Sequence, residues 1–269
     1  MKSSKQKKTP LLTAIKKYID SNPVPFDVPG HKMGRIHNEF TDLIGIKVYQ
    51  ADINAPIGID NLYKGTGVIF ESEMLLAEAY DADKAIFLIN GTTSGIMTMI
   101  MGCVNSGEKI ILPRNVHKSA INALIVSGAI PVFVEPDFDP ENGISNGVKV
   151  EDYINAMDNN LDATAIFVIN PTYFGVCSDL KTIVEEAHKR NMIVMVDEAH
   201  GAHLHFNNEL PLSSMQAGAD IASLSIHKTC GSLTQSSALL IKGNRVIKEL
   251  EKHIQCLDQL HLLICCLLL

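Results

Sequence analysis

The chain has 269 residues, of which 46% are hydrophobic and 20% charged, and its 23 Lys and Arg against 30 Asp and Glu leave a net charge of −7. This composition predicts a globular protein with a sizeable core and excludes an intrinsically disordered chain. The acidic balance argues against nucleic acid as a partner, because nucleic-acid binders usually carry a basic patch.

Neither a secretory signal nor a membrane span is expected. The basic start lacks the apolar core of a signal peptide. The most apolar stretch, 262–269, is far shorter than the roughly 20 residues needed to cross a bilayer. The six cysteines form no C-x-x-C pair, which argues against a disulfide framework or a zinc ribbon. We therefore expect a cytoplasmic protein with reduced thiols and no membrane partner.

Residues 1–70 are expected to form an N-terminal segment. A short helix is predicted at 11–19, and the Gly, Pro, Asp and Asn of 26–68 predict loops with little regular structure. From residue 71 onward, apolar runs of strand length alternate with helical stretches. The predicted strands are 85–89, 109–112, 131–134, 165–169, 193–196, 221–225 and 238–241. The predicted helices are 94–104, 117–127, 150–159 and 179–190.

Apolar runs without polar alternation are typical of parallel strands that helices cover on both faces. The pattern predicts one α/β domain over 71–259, with about seven, mostly parallel strands. An amphipathic helix is expected to start at residue 244. The last residues, 260–269, form an apolar tail, and bare leucines rarely end a soluble domain. We expect this tail either to be covered by a partner or to mark a truncated product.

Ligands of open α/β sheets bind beyond the carboxyl ends of the strands, and two early strand ends are candidates. The first is followed by 90–95 (NGTTSG), which predicts either a phosphate site at a helix start or an ordinary N-cap turn. His117 follows the second strand end. This imidazole is either a packed, capping side chain or a catalytic one.

Two later strand ends offer a carboxylate and an amine. Asp197 opens 197–201 (DEAHG), where it would pair with a protonated ring nitrogen, ligate a metal or cap a helix. Lys228 lies in 225–229 (SIHKT) and is either an amine nucleophile or a solvated loop lysine.

A phosphate cradle, a carboxylate, an imidazole and a lysine on one sheet edge are the groups that pyridoxal 5′-phosphate requires. The rival interpretation is a metal site, and its potential ligands are Asp197, Glu198, His200, His203 and His205. That spacing matches no familiar metal signature, and it leaves 90–95 and 225–229 unexplained.

The sequence resembles the ornithine/lysine/arginine decarboxylases over about residues 10–259. The matching motifs are 29–34 (PGHKMG), 90–95 (NGTTSG), 171–175 (PTYFG), 197–201 (DEAHG), 225–228 (SIHK) and 231–235 (GSLTQ). The resemblance implies a fold-type I pyridoxal-phosphate enzyme with an aspartate-aminotransferase-like large domain.

The resemblance also implies roles for individual residues. Lys228 would be the Schiff-base lysine, Asp197 the partner of the pyridinium nitrogen, and His117 the imidazole that stacks on the ring. Ala199 would pack beneath the ring, and His200 would face the substrate. The phosphate would be held by Thr92, Thr93, Ser225 and His227.

The implied reaction is decarboxylation of a basic amino acid, arginine ahead of lysine or ornithine, by a homodimer or higher homo-oligomer without a metal. Two alternatives stay open: an aminotransferase or lyase of the same fold, and an inactive fragment. Family members continue into a small C-terminal domain that is absent here, and the larger ones carry an N-terminal wing domain. We therefore expect a short form, truncated by a frameshift or premature stop near residue 260.

Overall fold

The computed structural model describes residues 4–62, 65–243 and Leu250, which form a seven-stranded sheet and a separate two-stranded hairpin. The strands are β1 (Lys84–Leu88), β2 (Lys109–Pro113), β3 (Ile130–Val134), β4 (Phe138–Asp139), β5 (Ile144–Ser145), β6 (Ala163–Ile169), β7 (Ile193–Asp197), β8 (Ile221–Leu224) and β9 (Ser237–Ile241). Each of the predicted strands is present, within a few residues of its expected bounds.

The large sheet has the order β1-β9-β8-β7-β6-β2-β3. Only β9 runs antiparallel to its neighbours, β1 and β8. The carboxyl ends of the other strands therefore meet at one edge, where β9 begins. The expected α/β fold with a mostly parallel sheet is confirmed. The small hairpin β4–β5 has no sequence signature, because strands of two residues carry no periodicity.

Helices cover both faces of the sheet. They are α1 (Pro10–Asp20), α2 (Glu39–Ile44), α3 (Ile46–Ala51), α4 (Val68–Ala79), α5 (Gly91–Cys103), α6 (Lys118–Ser127), α7 (Val150–Asp158), α8 (Leu180–Lys189), α9 (Ser214–Ala217) and α10 (Ile226–Thr229), with 3-10 turns at Ser4–Lys7 and Leu204–Phe206. Two of the predicted helices begin directly after a capping side chain: His117 is the N-cap of α6, and Asp179 is the N-cap of α8.

The core lies in two layers that β6 separates residue by residue. Ala165 and Phe167 pack on the α5–α6 side, whereas Ile166 and Val168 pack on the α7–α8 side. This alternation follows from the period of two in a strand, whose successive side chains point to opposite faces. Because both faces are buried, 165–169 is apolar at every position, which explains the unbroken run in the sequence.

The N-terminal segment is more regular than expected. The expectation of loops over 26–68 is wrong at α2 and α3, and α4 already begins at Val68 and runs through residue 70. Helix α2 is fixed by a capping box, in which the Asn38 side chain accepts from the Thr41 N–H and the Thr41 hydroxyl accepts from the Asn38 N–H. Such short helices lack the two turns over which periodicity becomes visible.

The expected helix from residue 244 and the tail at 260–269 lie outside the described residues, apart from Leu250, which is buried against the α5 side of the core. Among the helices that the structure describes, none is both long and apolar enough to cross a membrane.

Candidate active site

A cavity of about 460 Å³ opens at the carboxyl edge of the sheet, between the ends of β6, β7 and β8 and the start of α5. All the residues to which the sequence assigned a role line this one cavity. They are Thr92, Thr93, His117, Asp197, Ala199, His200, Ser225, His227 and Lys228. The structure thus brings together side chains that are far apart in the sequence, while their individual roles stay predictions.

One end of the cavity is formed by the start of α5. Gly91 has a φ of +70°, a conformation that glycine adopts at little cost, and the Asn90 side chain makes no capping bond to the helix. The first N–H groups of an α-helix have no partner within the helix, and its dipole is positive there. This end of the cavity is therefore suited to an anion.

Buried hydroxyls surround the same helix start. Thr92 Oγ1 forms hydrogen bonds with the hydroxyls of Ser225 and Ser237, at 3.2 Å for Ser237. Ser237 arrives there because β9 is antiparallel, so that its first residue pairs with Leu88 at the end of β1. These hydroxyls add hydrogen-bond donors to the helix N–H groups.

Asp197 is the last residue of β7, and its carboxyl is 6% exposed. The Ala199 N–H donates to Asp197 Oδ1 at 3.1 Å. Burial raises the pKa of Asp197 above its usual value, and this hydrogen bond and the positive charge of Lys228 offset part of that rise. The carboxylate is thus placed at the cavity floor, where a cation at a ligand ring would stabilise its charge.

Lys228 Nζ lies 3.1 Å from His200 Nε2. Burial lowers the pKa of His200, and the positive charge of Lys228 lowers it further. A neutral His200 accepts a hydrogen bond from the lysine ammonium, which fixes the direction of the Lys228 side chain. The ring of Tyr173 meets the His200 ring edge-on, with 5.4 Å between the centroids.

The two remaining histidines have opposite tautomers when neutral. The Ser119 N–H donates to His117 Nδ1 at 3.2 Å, so the ring proton of His117 is on Nε2. His227 Nδ1 lies 2.9 Å from the Ser236 carbonyl, which only accepts, so its ring proton is on Nδ1. Both imidazoles are therefore held by the backbone of neighbouring residues.

Further residues line the cavity without an assigned role. They are Asn90, Gly91, Ile96, Asn115, Ser145, Ile169, Thr172, Tyr173, Phe174, Thr234 and Gln235. Several belong to the motifs at 171–175 and 231–235, which carry the family resemblance but give no side-chain direction. Ser145 comes from β5, and Asn115 Nδ2 donates to its hydroxyl at 2.9 Å. No sequence signal marks Ser145, because its position depends on how the hairpin packs.

The donor set fits pyridoxal phosphate. The cavity holds a helix start with hydroxyls for the phosphate, a buried carboxyl for the ring nitrogen, an imidazole for the ring face and an amine for the aldehyde carbon. Its volume lies in the range of about 300–1,000 Å³ that small-molecule sites occupy.

The residues proposed for a metal site do not assemble into one. Within the described ranges, no three His, Cys, Asp or Glu side chains lie close enough to hold a metal ion. His205 instead bonds to the Ser213 hydroxyl at 3.0 Å, and Glu198 bonds to Ser214.

The model of the Orn/Lys/Arg decarboxylase major domain matches residues 9–259. The chain belongs to this family. Curated Orn/Lys/Arg decarboxylase relatives agree: the chain is 49% identical over 245 residues to an arginine decarboxylase of Bacillus subtilis, with 91% of this chain and 50% of the relative covered. It is 46% identical over 251 residues to an arginine decarboxylase of Bacillus anthracis, covering 93% and 50%. The chain spans about half the length of the curated relatives it matches.

Solved structures of the same fold include lysine decarboxylase A from Pseudomonas aeruginosa, with a TM-score of 0.86 at 20% identity, covering 96% of this chain and 38% of that one. The constitutive lysine decarboxylase of E. coli gives a TM-score of 0.82 at 20% identity, covering 97% and 39%. The aspartate-aminotransferase-like fold of the Orn/Lys/Arg decarboxylases is therefore present in this chain.

Proposed function

We propose that this chain carries the cofactor site of a pyridoxal-phosphate-dependent decarboxylase of basic amino acids. The observation that supports it best is the single cavity in which the Lys228 amine, the Asp197 carboxyl and the start of α5 meet. The same fold also serves aminotransferases and lyases, so the fold alone does not define the reaction. Membership of the Orn/Lys/Arg decarboxylase family favours decarboxylation.

The proposed roles are those that the family resemblance implies, and the contacts of Lys228 support its role. Lys228 would bind the cofactor covalently, since it lines the cavity and His200 orients its amine. Asp197 would hold a proton on the ring nitrogen, and His117 would stack on the ring. Bound pyridoxal phosphate supplies an electron sink for the bond that breaks at the substrate α-carbon.

The phosphate would be held by Thr92, Thr93, Ser225 and His227 at the start of α5, with Ala199 beneath the ring. His200 would face the substrate amine. In this role it accepts a hydrogen bond from the lysine before substrate arrives, and it can take up the proton that the lysine releases.

Arginine is the proposed substrate, ahead of lysine and ornithine, because two relatives that are 49% and 46% identical to this chain are named arginine decarboxylases. Among the described residues that line the cavity, Asp197 is the one carboxylate, and the proposal assigns it to the cofactor. Recognition of the distal guanidinium is therefore assigned to groups outside this cavity wall.

The proposed setting is the cytoplasm, with copies of the same chain as protein partners. Cys103, Cys177 and Cys230 are free thiols, as is usual in a reducing compartment. Large apolar side chains are exposed on the N-terminal segment, which suits an interface with a second copy.

Borohydride reduction tests the covalent role of Lys228. Pyridoxal phosphate is added to the purified chain, the mixture is reduced, and the labelled peptide is mapped by mass spectrometry. We expect the label on Lys228 and none in Lys228→Ala, while Lys118→Ala, which changes an exposed lysine next to His117, keeps it. Label on another lysine in a folded Lys228→Ala variant would refute the assignment.

Product analysis tests the reaction class. Arginine, lysine and ornithine are each incubated with the loaded chain, and CO2, amine and keto acid are measured. Amine with CO2, fastest from arginine, is the expected result. Keto acid would favour the aminotransferase alternative, and a chain that is labelled on Lys228 but forms no product would favour the inactive fragment.

A further inference from the structure

Glu198 is a buried carboxyl for which the proposed chemistry has no use. It follows Asp197 directly at the end of β7, yet Asp197 lines the cavity and Glu198 does not, because successive side chains of a strand point to opposite faces. Glu198 is 0% exposed. Its two oxygens bind Ser214 at the start of α9: the Ser214 N–H donates to Oε1 at 2.8 Å, and the hydroxyl lies 2.5 Å from Oε2.

The turn after Asp197 packs closely on the Glu198 side chain. A Cβ added to Gly201 would lie 2.7 Å from Glu198 Cγ and 2.7 Å from Pro171 Cδ. The turn that follows Asp197 is thus closed directly over the Glu198 side chain, and the Gly201 N–H donates to the Glu198 carbonyl at 2.9 Å.

The titratable groups that interact electrostatically with Glu198 become negative when they ionise. They are Asp197 on the same turn, Cys177 in the loop after β6 and Tyr80 at the end of α4, and Glu198 raises the pKa of the last two in addition to their burial. From α9, Glu198 meets the N–H and hydroxyl of Ser214, while the basic side chains that contact this helix and its N-cap bind elsewhere, His205 to the Ser213 hydroxyl and Lys242 to the Met215 carbonyl. Within the described part of the chain, no lysine, arginine or histidine forms an ion pair with Glu198.

Burial raises the pKa of Asp197 as well, but Asp197 has a cation beside it. The positive charge of Lys228 favours its ionised form, and the Ala199 N–H donates to it. Two adjacent buried carboxyls repel each other when both are ionised, which favours retention of a proton on one of them. The Lys228 cation is on the Asp197 side, so the geometry favours the proton on the Glu198 side. Consistent with this geometry, burial raises the pKa of Glu198 to about 8, with Ser214 lowering it and Asp197 raising it.

We propose that Glu198 is a positioning residue held as an uncharged carboxylic acid, which ties α9 to the turn 197–201 and leaves Asp197 as the ionised carboxyl at this strand end. The link from Asp197 to a cofactor ring rests on the proposed function, whereas the location of the proton does not. When protonated, Oε2 donates to the Ser214 hydroxyl while Oε1 keeps the Ser214 N–H, so both contacts survive without a charge.

Infrared spectroscopy of the full chain without added cofactor locates the proton directly. Both variants are made in a Glu73→Gln background, because burial raises the pKa of Glu73 to about 7 and its acid band would overlap. At neutral pH, we expect the C=O stretch of a protonated carboxylic acid that is lost when Glu198→Gln is added and kept when Asp197→Asn is added. The matched control is Glu186→Gln, where the carboxylate pairs with Lys189 and Arg190 and should lose only carboxylate intensity. Loss of the acid band in Asp197→Asn instead, or in neither variant, overturns the proposal.

Thermal unfolding against pH gives a second readout that needs no cofactor. A carboxylic acid whose pKa is raised in the folded state keeps its proton at pH values at which the unfolded chain has lost it. Raising the pH from the unfolded-state pKa to the folded-state pKa therefore destabilises the fold. The Tm of the wild type relative to Glu198→Gln should therefore fall between pH 4.5 and about 8. A Tm difference that is constant, or that rises with pH, would contradict the proposal. Failure of borohydride labelling with both of these results intact would instead count against the proposed function alone.

Discussion

Asp197 shows how a single strand position sets the chemistry of a site. As the last residue of β7, it has its backbone fixed by the sheet, and the Asn170 N–H donates to its carbonyl at 3.0 Å. Its carboxyl is buried, yet it faces the cavity, where the positive charge of Lys228 favours its ionised form. A rigid strand end thus holds a negative charge where a ligand cation can meet it, without the entropy cost of ordering a loop.

Replacing Asp197 by Asn should weaken pyridoxal phosphate binding. The amide keeps the size and the Ala199 N–H bond but removes the charge, and a hydrogen bond to a charged group contributes about 1.5–3 kcal/mol. We expect on the order of 10- to 100-fold weaker binding, measured by absorbance titration. Asp162→Asn, which changes an exposed carboxylate paired with Lys109, is the control. Equal affinities for both variants would show that Asp197 does not contact the ring nitrogen.

The sequence identifies the residues of the cavity better than their partners. Lys228, Asp197 and His117 each follow an apolar run, and the rule that ligands bind at strand ends places them together. Ser119 and Ser236 fix two imidazoles through main-chain atoms. Such contacts depend on backbone path and not on residue type, so no motif marks them.

At the level of elements, α5 packs unusually closely on the sheet. A Cβ on Gly95 would lie 2.2 Å from Ser223 Oγ and 2.6 Å from Leu88 Cδ1. Glycine is therefore required for the helix start to reach β1 and β8, the strands whose ends border the cavity. The glycine of the motif at 90–95 serves helix–sheet packing in addition to any phosphate.

Gly95→Ala should destabilise the fold by about 1–3 kcal/mol, because an added methyl group in a packed core forces helix and sheet apart. Ser223 Oγ is buried and has no hydrogen-bond partner among the described residues. The double variant with Ser223→Ala should thus recover part of the loss, as measured by the denaturant midpoint. Gly30→Ala is the control, since a Cβ there meets nothing within 4 Å. No recovery of stability in the double variant would mean that the destabilisation comes from the contact with Leu88 and not from that with Ser223.

Glu73 connects α4 to the edge of the sheet. Its side chain is 6% exposed, and Glu73 Oε1 accepts from the Phe87 N–H of β1 at 2.9 Å. Burial raises the pKa of Glu73 to about 7, while the Phe87 bond and Lys84 lower it. The contact therefore satisfies an N–H group of an edge strand with a carboxyl that is easily protonated.

The Glu73 contact should make stability depend on pH. The folded state keeps the Glu73 proton up to about pH 7, whereas the unfolded chain loses it near 4.5, so this group stabilises the fold less as pH rises through that window. Relative to Glu73→Gln, whose amide oxygen still accepts from Phe87, the wild type should lose at most about 3 kcal/mol of unfolding free energy. Urea titrations across that pH range measure the difference in unfolding free energy between the two proteins. A difference that does not change with pH would show that Glu73 is ionised in the folded state.

On the scale of the whole molecule, the N-terminal segment leaves apolar side chains in solvent. Phe26 is 92% and Leu43 79% exposed, and others nearby are Val24, Val28, Ile36, Phe40 and Ile57. Isolated apolar side chains on a surface are normal, but a concentration in one segment indicates contact with another protein surface. A second copy of the chain is the proposed partner.

Leu43→Asp should weaken self-association of the chain. Burying a leucine contributes about 1.5–3 kcal/mol, so its loss should raise the dissociation constant at least about tenfold in sedimentation velocity. Leu161→Asp, at a position 73% exposed before β6, is the control and should sediment as the wild type does. Identical sedimentation of both variants would exclude the Leu43 surface from the interface.

The sheet and its flanking helices could be predicted from the sequence because a strand that is buried on both faces consists mainly of apolar residues. The departures have a common physical cause. Helices α2 and α3 have six residues each, and their capping signals are too short to stand out among turn residues. The direction of β9 is likewise absent from its own sequence, since its partners β1 and β8 are chosen by the whole sheet.

The place of β9 in the sheet has a consequence for synthesis on the ribosome. Among the described strands, β1 pairs only with β9, so Lys84 has no partner strand until Ile241 has been synthesised. Until 237–241 leaves the exit tunnel, the nascent chain can assemble β2, β3, β6, β7 and β8, while β1 lacks its neighbour. Helix α5 packs on β9 and β1 as well as on β7 and β8, so the anion end of the cavity is complete only after 237–241 has joined the sheet.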